Sequence, residues 1–552
     1  MQAINRRVGL LFGVFALVLV AALLRAGWLQ VVKSGELQAQ AREQQVAEVE
    51  VPGLRGRVLD RRGRPLALSE DAVDVVATPY QIKDPAMTAA RLSPYLDESP
   101  TEISEAISDP ESGFAYVSQG ASLFDGNEIQ GLDLPGITTL PTSRRVYPQG
   151  AVAAHVIGAV GSENQGLTGL EAGQQAVLGA TDGSQEIVYD ARGYPLRFET
   201  SKEASMGADI QLTLDSSIQA KAETAVAAVG QRYAAKSAAA VVMNPNTGDV
   251  LAMASWPGFD PKDLSKATNE DLLNRPTGYT YEPGSTFKAF TVAGALEDGV
   301  VSPSSSFTLA PKIKVYDRVI GESHPRPTMT MSVSEILAQS SNVGAVTIGL
   351  EQGADRFSQW VDRFGFGRQT GIEFPAEERG IVPARDEYSG SSMGNLPIGQ
   401  GLSVTPIQMA SAYSAIANGG RLLSPRLVES VDGSPTTPAR KPERIISEST
   451  AASVREMLKG VVEAGGTAAE VSVPNYTLAG KTGTAEKAED GGYSETRYVA
   501  SFVGFAPADN PQLVIVVLVD EPKYETSGGK VAAPVVADIA SFALPYLGIA
   551  PG

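Results

Sequence analysis

The chain of 552 residues contains no cysteine. Disulfides, thiol catalysis and cysteine-ligated metal are therefore excluded. Histidine is almost as scarce, with His155 and His324 the only two. An imidazole metal centre or a Ser-His-Asp triad is very hard to assemble from them, so an enzymatic base has to be sought elsewhere. Positive charge is in deficit: 45 Lys and Arg stand against 63 Asp and Glu, a net charge of −18. That balance argues against nucleic acid as a partner. Long apolar runs are missing everywhere except near the N-terminus, and "LVIVVLV" (Leu513 to Val519) is strand-sized, too short to span a bilayer as a helix.

The exception is Val8 to Leu24, an unbroken run of apolar residues and Gly, followed by Arg25 and Trp28. It is long enough to cross a hydrocarbon core with Arg25 snorkelling and Trp28 at the interface. Arg6 and Arg7 in front of it predict a cytoplasmic N-terminus. The competing reading is a cleaved signal peptide. The nearest small-x-small site, Ala39-Gln40-Ala41, lies too far past Leu24 for ordinary processing, which favours a retained anchor. The expected layout is a cytoplasmic tail over 1–7, a transmembrane anchor over 8–29 and an extracytoplasmic remainder. Its length predicts more than one domain.

Residues 30–50 read as a polar helix leaving the membrane. "VPGLRGRVLDRRGRPLALSE" (51–70) reads as a short hairpin with turns at its glycines. An acidic, mixed segment follows over 85–130. In "IQLTLDSSIQAKAETAVAAV" (210–229) a strand passes into a helix that Asp215 can cap. Beyond it an α/β pattern sets in. "SAAAVVMNPNTGDVLAMAS" is a hairpin turning at Asn-Thr-Gly-Asp, "STFKAFTVAGALEDG" a helix, and "YTLAGKTGTAEK", "RYVASFVGFAPADN" and "PQLVIVVLVDEP" three successive strands before a last helix, "AAPVVADIASFALPYL". Antiparallel strands with helices before and after predict helices packed on a sheet. The division is expected near 205, with a mostly β, non-catalytic region over 30–205 and an α/β domain over 206–552.

"YEPGSTFKAF" (Tyr281 to Phe290) places Ser285 and Lys288 three apart at a helix start. Residues three apart share a helix face, and free N–H groups at the first turn favour developing negative charge. A hydroxyl needs a base to become a nucleophile, and a desolvated lysine can serve. The bland reading is a helix cap beside a solvated lysine. Two further motifs weigh against it: Ser340 and Asn342 in "AQSSNVG", then Lys481, Thr482, Gly483 and Thr484 in "LAGKTGTAE" on a strand. Order and setting match the penicillin-recognising serine enzymes.

The chain resembles the class B penicillin-binding proteins, monofunctional membrane-anchored peptidoglycan D,D-transpeptidases. Nearly its whole length takes part: the three motifs lie in the α/β half, and "RGRVLDRRGRPLA", "RRVYPQG" and "GLTGLEAGQQAVLG" match segments of the family's pedestal. The resemblance implies Ser285 as nucleophile, Lys288 as base and Ser340 as proton shuttle linking Lys288 to Lys481. It implies that Asn342 holds Lys288 and the substrate amide, and that Lys481, kept charged, binds the terminal carboxylate with Thr482 and Thr484. Gly483 is expected to let substrate lie close along the strand, and the backbone N–H groups of Ser285 and Thr484 to form the oxyanion hole. No metal or cofactor is implied. The implied partners are peptidoglycan stem peptides, β-lactams, a SEDS-type glycosyltransferase and other division-complex membrane proteins. "RRVYPQGAVAAHVIGAV" and "GLEAGQQAVLG" lean toward the septal branch. An elongation-type transpeptidase, a D,D-carboxypeptidase and a catalytically vestigial structural partner remain as alternatives. Glu377 and Glu378 do not match the deacylating glutamate motif of β-lactamases, so efficient release of a bound β-lactam is not expected.

Overall fold

The structure, a computed structural model, describes residues 2–35, 46–189, 195–489 and 492–551. A helix over Gln2–Val31 carries the apolar run and is the one helix among the described residues long and apolar enough to cross a membrane. Phe12, Leu17 and Leu24 along it are exposed. The polar helix expected over 30–50 is corrected. The N-terminal helix ends at Val31, and Val46–Val51 is a strand; residues 36–45 lie outside the described residues. The sequence "VAEVEV" alternates with period two, which suits a pleated strand rather than a helix.

Chain contacts divide the molecule into two compact units: Met1–Leu54, Asp71–Ser143 and Ala180–Met206 in the first, Arg55–Glu70, Arg144–Gly179 and Gly207–Gly552 in the second. In the first unit, Val46–Val51 pairs antiparallel with Gly183–Tyr189, which pairs in turn with Pro195–Lys202. The distal part of the strand Pro65–Ala77 pairs with Ala115–Ser122. Helices over Pro85–Leu92, Pro100–Ala106 and Leu123–Gly131 complete a core of Val75, Leu92, Ile103, Val117 and Ile129. Sequence chemistry starts these helices: Asp84 accepts from Met87 N at 2.9 Å, and Ser99 with Glu102 forms a capping box.

The second unit contains 55–70 and 144–179, segments that sequence grouped with the pedestal. Val58–Leu59 runs parallel to Ile210–Leu212, which pairs antiparallel with Val428–Val431. Glu171 is wholly buried between two buried arginines. Its carboxylate contacts Arg55 Nε directly and lies 2.7 Å from Arg145 Nη2. Asp215 caps the next helix as expected, accepting from Ser217 N at 3.0 Å.

The elements that build the site are α1 (Ser216–Arg232), β1 (Ser237–Met243), β2 (Val250–Trp256), α2 (Lys288–Glu297), β3 (Lys312–Val315), β4 (Arg318–Gly321), α3 (Val333–Ala338), α4 (Asn342–Gln352), α5 (Pro406–Ala417), β5 (Ala479–Glu489), β6 (Gly492–Ala506), β7 (Leu513–Asp520) and α6 (Ala533–Tyr546). The central sheet is antiparallel in the order β2-β1-β7-β6-β5. Every residue of β1 and β7 is buried, so both faces of the sheet are covered. α1 and α6 pack together against it, and α5 packs on it as well. β5 is an edge strand, and β3–β4 is a separate two-stranded hairpin.

Removing one partner of a buried ion pair leaves uncompensated charge and costs about 3–5 kcal/mol. Glu171→Ala strands two buried guanidiniums and is expected to destabilise the second unit by an amount of that order. Denaturant unfolding of the full chain measures it; an unchanged midpoint would show that the arginines find other partners.

Candidate active site

Ser285 sits in a single 3-10 turn, Gly284–Phe287, and the α-helix proper begins at Lys288. Sequence placed Ser285 inside the first helical turn; the tighter turn brings positions three apart nearly into eclipse. The turn is clamped from two sides. Gly284, at φ +53°, donates its N–H to Gly399 O at 3.0 Å. A Cβ on Gly399 would come within 2.1 Å of Gly284 O, so this backbone approach requires glycine. Tyr413 of α5, wholly buried, donates its hydroxyl to Thr286 O at 2.7 Å.

Lys288 is fully buried. Its Nζ lies 2.6 Å from Ser340 O, 2.6 Å from Asn342 Oδ1 and 3.2 Å from Ser340 Oγ. Two carbonyl oxygens accept two N–H bonds, and a lone pair then remains for a hydroxyl. Burial pulls the amine down to about 7, with the charge of Glu322 opposing the shift. The orientation of Asn342 is fixed because its Nδ2 donates to Gly321 O at 2.9 Å.

Ser340 adopts φ +59°, a left-handed conformation uncommon for a residue with a Cβ. Glu322 holds the turn around it. Its carboxylate accepts from Ser341 Oγ at 2.6 Å and Asn342 N at 2.7 Å, and pairs with Arg326 at 2.5 Å. Ser341 also accepts from Gly344 N at 3.0 Å, capping α4.

β5 carries the third motif. Lys481 is fully buried, with Nζ 3.2 Å from Thr482 O. Burial and then the neighbouring Lys288 push its pKa well down. Thr482 Oγ1 lies 2.7 Å from Thr467 Oγ1, and Thr484 Oγ1 accepts from Gly528 N at 3.2 Å. Gly284 faces this strand: a Cβ there would come 3.2 Å from Ala485 Cβ and 3.5 Å from Thr484 O. Gly483 has a steric reason within the protein itself. A Cβ at Gly483 would meet Ser501 Oγ at 2.4 Å and Pro283 O and Thr286 Cγ2 at 3.0 Å. The missing side chain lets β5 close against β6 and the serine turn.

The fold thus brings Lys288 together with Ser340 and Asn342, and packs the strand carrying Lys481–Thr484 against the turn that carries Ser285. Among the described residues no hydrogen bond joins Ser285 Oγ to Lys288 Nζ, or Ser340 to Lys481. Apo contacts of this kind are commonly loose. Glu322, Ser341, Tyr413 and Thr467 went unnoticed in the sequence. "GESHPR" gives no local sign that its glutamate reaches twenty residues on, to the turn beside Asn342. His324 is exposed in the loop after Glu322. His155 is buried against Phe259, ring centroids 5.0 Å apart, with Nε2 2.8 Å from Asp271 O; burial drops its pKa to about 4 and keeps it neutral. Glu377 is consumed by Thr370 N at 2.7 Å and Thr370 Oγ1 at 2.6 Å, a loop-holding carboxylate.

Residues 238–541 match the penicillin binding protein transpeptidase domain, and residues 50–212 match the penicillin-binding protein dimerisation domain. Stage V sporulation protein D of Bacillus subtilis is 35% identical, over 98% of this chain and 85% of that protein. The peptidoglycan D,D-transpeptidase FtsI of Escherichia coli is 31% identical, over 99% of this chain and 93% of its own length. The crystal structure of penicillin binding protein 3 from Mycobacterium tuberculosis complexed with aztreonam superimposes with a TM-score of 0.72 at 30% identity, covering 91% of this chain and 98% of that one.

Gly483→Ala forces its new methyl against Ser501 Oγ and the serine turn. It is expected to lower the melting temperature of the full chain, and Ser501→Gly in the same chain is expected to restore part of the loss. An alanine variant as stable as the parent would show that β5 has room to move.

Proposed function

The chain belongs to the class B penicillin-binding proteins, and from that premise we propose that it crosslinks peptidoglycan through an acyl-enzyme formed on Ser285. The observation that carries this reading is a buried lysine, held close to neutral, one 3-10 turn from the serine. Ser285 Oγ would attack the carbonyl carbon of the penultimate D-Ala of a donor stem peptide. Lys288 would take the hydroxyl proton on its free lone pair. The oxyanion would meet the N–H groups of Ser285 and Thr484, each such donor contributing about 3 kcal/mol in a preorganised site. As the C–N bond breaks, Ser340 would pass the proton to the departing D-Ala amine. The amine of a second stem would then attack the ester, lose its proton toward Lys288, and release Ser285 with a new amide bond.

Asn342 would fix Lys288 and accept the donor's amide. Lys481, with Thr482 and Thr484, would receive the terminal carboxylate. Burial and Lys288 disfavour charge on Lys481, and an entering carboxylate would restore it. Donor binding and protonation of Lys481 would then be one event. The free edge of β5 offers backbone for an extended peptide to lie along.

We assign residues 30–205 to the non-catalytic pedestal and 206–552 to the transpeptidase half, with the N-terminus cytoplasmic on the strength of Arg6 and Arg7. We assign the chain to septal synthesis beside a SEDS-type glycosyltransferase, on the "RRVYPQGAVAAHVIGAV" and "GLEAGQQAVLG" segments. A fluorescent fusion confined to midcell during division would support that assignment, and one spread along the lateral wall would favour the elongation branch.

Full-length protein incubated with a fluorescent penicillin is expected to gain one stable adduct on the Ser285 peptide, by intact and peptide mass. Ser285→Ala should show none; an adduct persisting there would remove the assigned nucleophile. The base must be neutral to act, so acylation is expected to fall about tenfold per pH unit below roughly 7 and to level off above it. Glu322→Gln removes the charge that opposes deprotonation of Lys288. Its acid limb should move to lower pH, and a limb that moves upward or stays would show that another group titrates.

A further inference from the structure

One hydroxyl beside the third motif belongs to none of the three. Thr467 lies in the stretch that joins the helix Glu448–Lys459 to β5. Its Oγ1 is 2.7 Å from Oγ1 of Thr482. Backbone bonds hold it from both sides, because Gly466 N donates to Glu463 O at 2.9 Å and Ala468 N donates to Val461 O at 2.9 Å. A Cβ on Gly466 would fall 2.2 Å from Gly460 O, and one on Gly529 would fall 2.2 Å from Thr467 O. The loop and its neighbour approach this closely only as glycines. Thr467 is exposed, whereas Thr482 is buried. The two hydroxyls therefore lead from solvent to the strand.

A hydroxyl has one proton and two lone pairs. Lys481 Nζ donates to Thr482 O at 3.2 Å and to Thr482 Oγ1 at 3.4 Å, so one lone pair of that hydroxyl is already taken. The bond between the two threonines has two orientations. With Thr482 as donor, its one proton is spent on Thr467 and a ligand meets only a lone pair. With Thr467 as donor, both lone pairs of Thr482 are filled and its proton is left for a ligand. A carboxylate offers acceptors only, so its arrival selects the second orientation. The bond it then receives is charge-assisted, and bonds linked in such a chain polarise one another. Among the described residues neither hydroxyl has a further partner that would hold the first orientation.

We propose that Thr467 is a positioning residue for the substrate carboxylate. By donating its hydroxyl proton to Thr482 Oγ1 it leaves Thr482 a proton to give, and so makes the site select a free carboxylate over an ester or amide in the same place. The inference rests on the function proposed above, which puts the terminal carboxylate on Lys481, Thr482 and Thr484. Thr467 acts through Thr482 and not on the reacting atoms. An ester carbonyl also accepts a hydrogen bond, but without a charge it gains little from a polarised donor. An amide would set its own N–H groups against that donor.

The test compares full-length parent protein with Thr467→Val, Thr467→Ala and Thr467→Ser. Two probes are used, a fluorescent penicillin with its carboxylate free and the same penicillin as its methyl ester, and the second-order rate constant of acylation is read for each. Valine keeps the shape and removes the hydroxyl; serine keeps the hydroxyl. The valine and alanine variants are expected to react with the free acid roughly tenfold more slowly than the parent, and with the ester within about twofold of it. The serine variant is expected to stay within about twofold of the parent on both probes. An unchanged rate with the free acid in the valine and alanine variants would overturn the proposal. Equal slowing on acid and ester would also overturn it, because Thr467 would then be a brace for β5. A loss in the serine variant as large as in the valine variant would show that the hydroxyl is not what counts, and equal parent rates for acid and ester would show that no carboxylate is read; either result would overturn it. Absence of acylation of the parent by the free acid would count against the proposed function instead.

Discussion

Desolvation of one amine organises the second unit. Lys288 is excluded from water in a position where its hydrogen-bond partners are neutral. An ammonium there would lose far more hydration than two carbonyls and a hydroxyl return, so the proton is held weakly. That requirement determines the neighbourhood. A carboxylate in direct contact with Nζ would pin the proton in place, and the nearby acid, Glu322, is turned to Ser341, Asn342 and Arg326 instead. Its charge moderates Lys288 from a distance. A second amine, Lys481, is wholly buried on β5, and burial and then Lys288 make it harder to protonate.

The same constraint explains the scaffold. A low-dielectric pocket works only if the groups around it cannot relax toward the charge. Here the serine turn is held by Gly399 O and Tyr413, the Ser340 turn is fixed in a left-handed conformation by Glu322 and the cap of α4, and β5 closes on the turn through the space left by Gly483. Positive φ at Ser340 costs on the order of 1–3 kcal/mol. The surrounding hydrogen bonds hold it, and the return is a carbonyl aimed at Nζ from 2.6 Å.

Much of this was legible in the sequence, for a physical reason. The motifs are local: Ser285 and Lys288 share one turn, Ser340 and Asn342 another, and Lys481 to Thr484 one strand, so each cluster is compact in sequence and is conveyed by the resemblance to the penicillin-recognising serine enzymes. The hairpin of β1 and β2, the three strands β5 to β7 and the last helix announced themselves by period and turn chemistry. What stayed hidden acts across long sequence separations. Glu322 holds Asn342, Tyr413 of α5 holds Thr286, and Thr467 meets Thr482. None of these residues carries a local mark, because a buried glutamate or tyrosine looks the same in sequence as a surface one. The assignment of 30–50 as a helix failed where "VAEVEV" was read by its polarity rather than its alternation. Gly483 stands out in the sequence as a close-approach position, while the protein groups that come close to it, Ser501 and the serine turn, are distant in sequence.

The strand side and the turn side of the site are held in different ways. β5 is the edge strand of a sheet in which β1 and β7 are wholly buried, and it meets the serine turn where Gly284 and Gly483 carry no side chain. Lys481 therefore takes its position from backbone pairing with β6. Asn342 and the Ser340 turn have no sheet behind them and depend on the Glu322 carboxylate and the cap of α4. Loss of one carboxylate can disturb the partners of Lys288 while leaving the strand that carries Lys481 in register, because a ladder of backbone bonds does not rest on any single side chain.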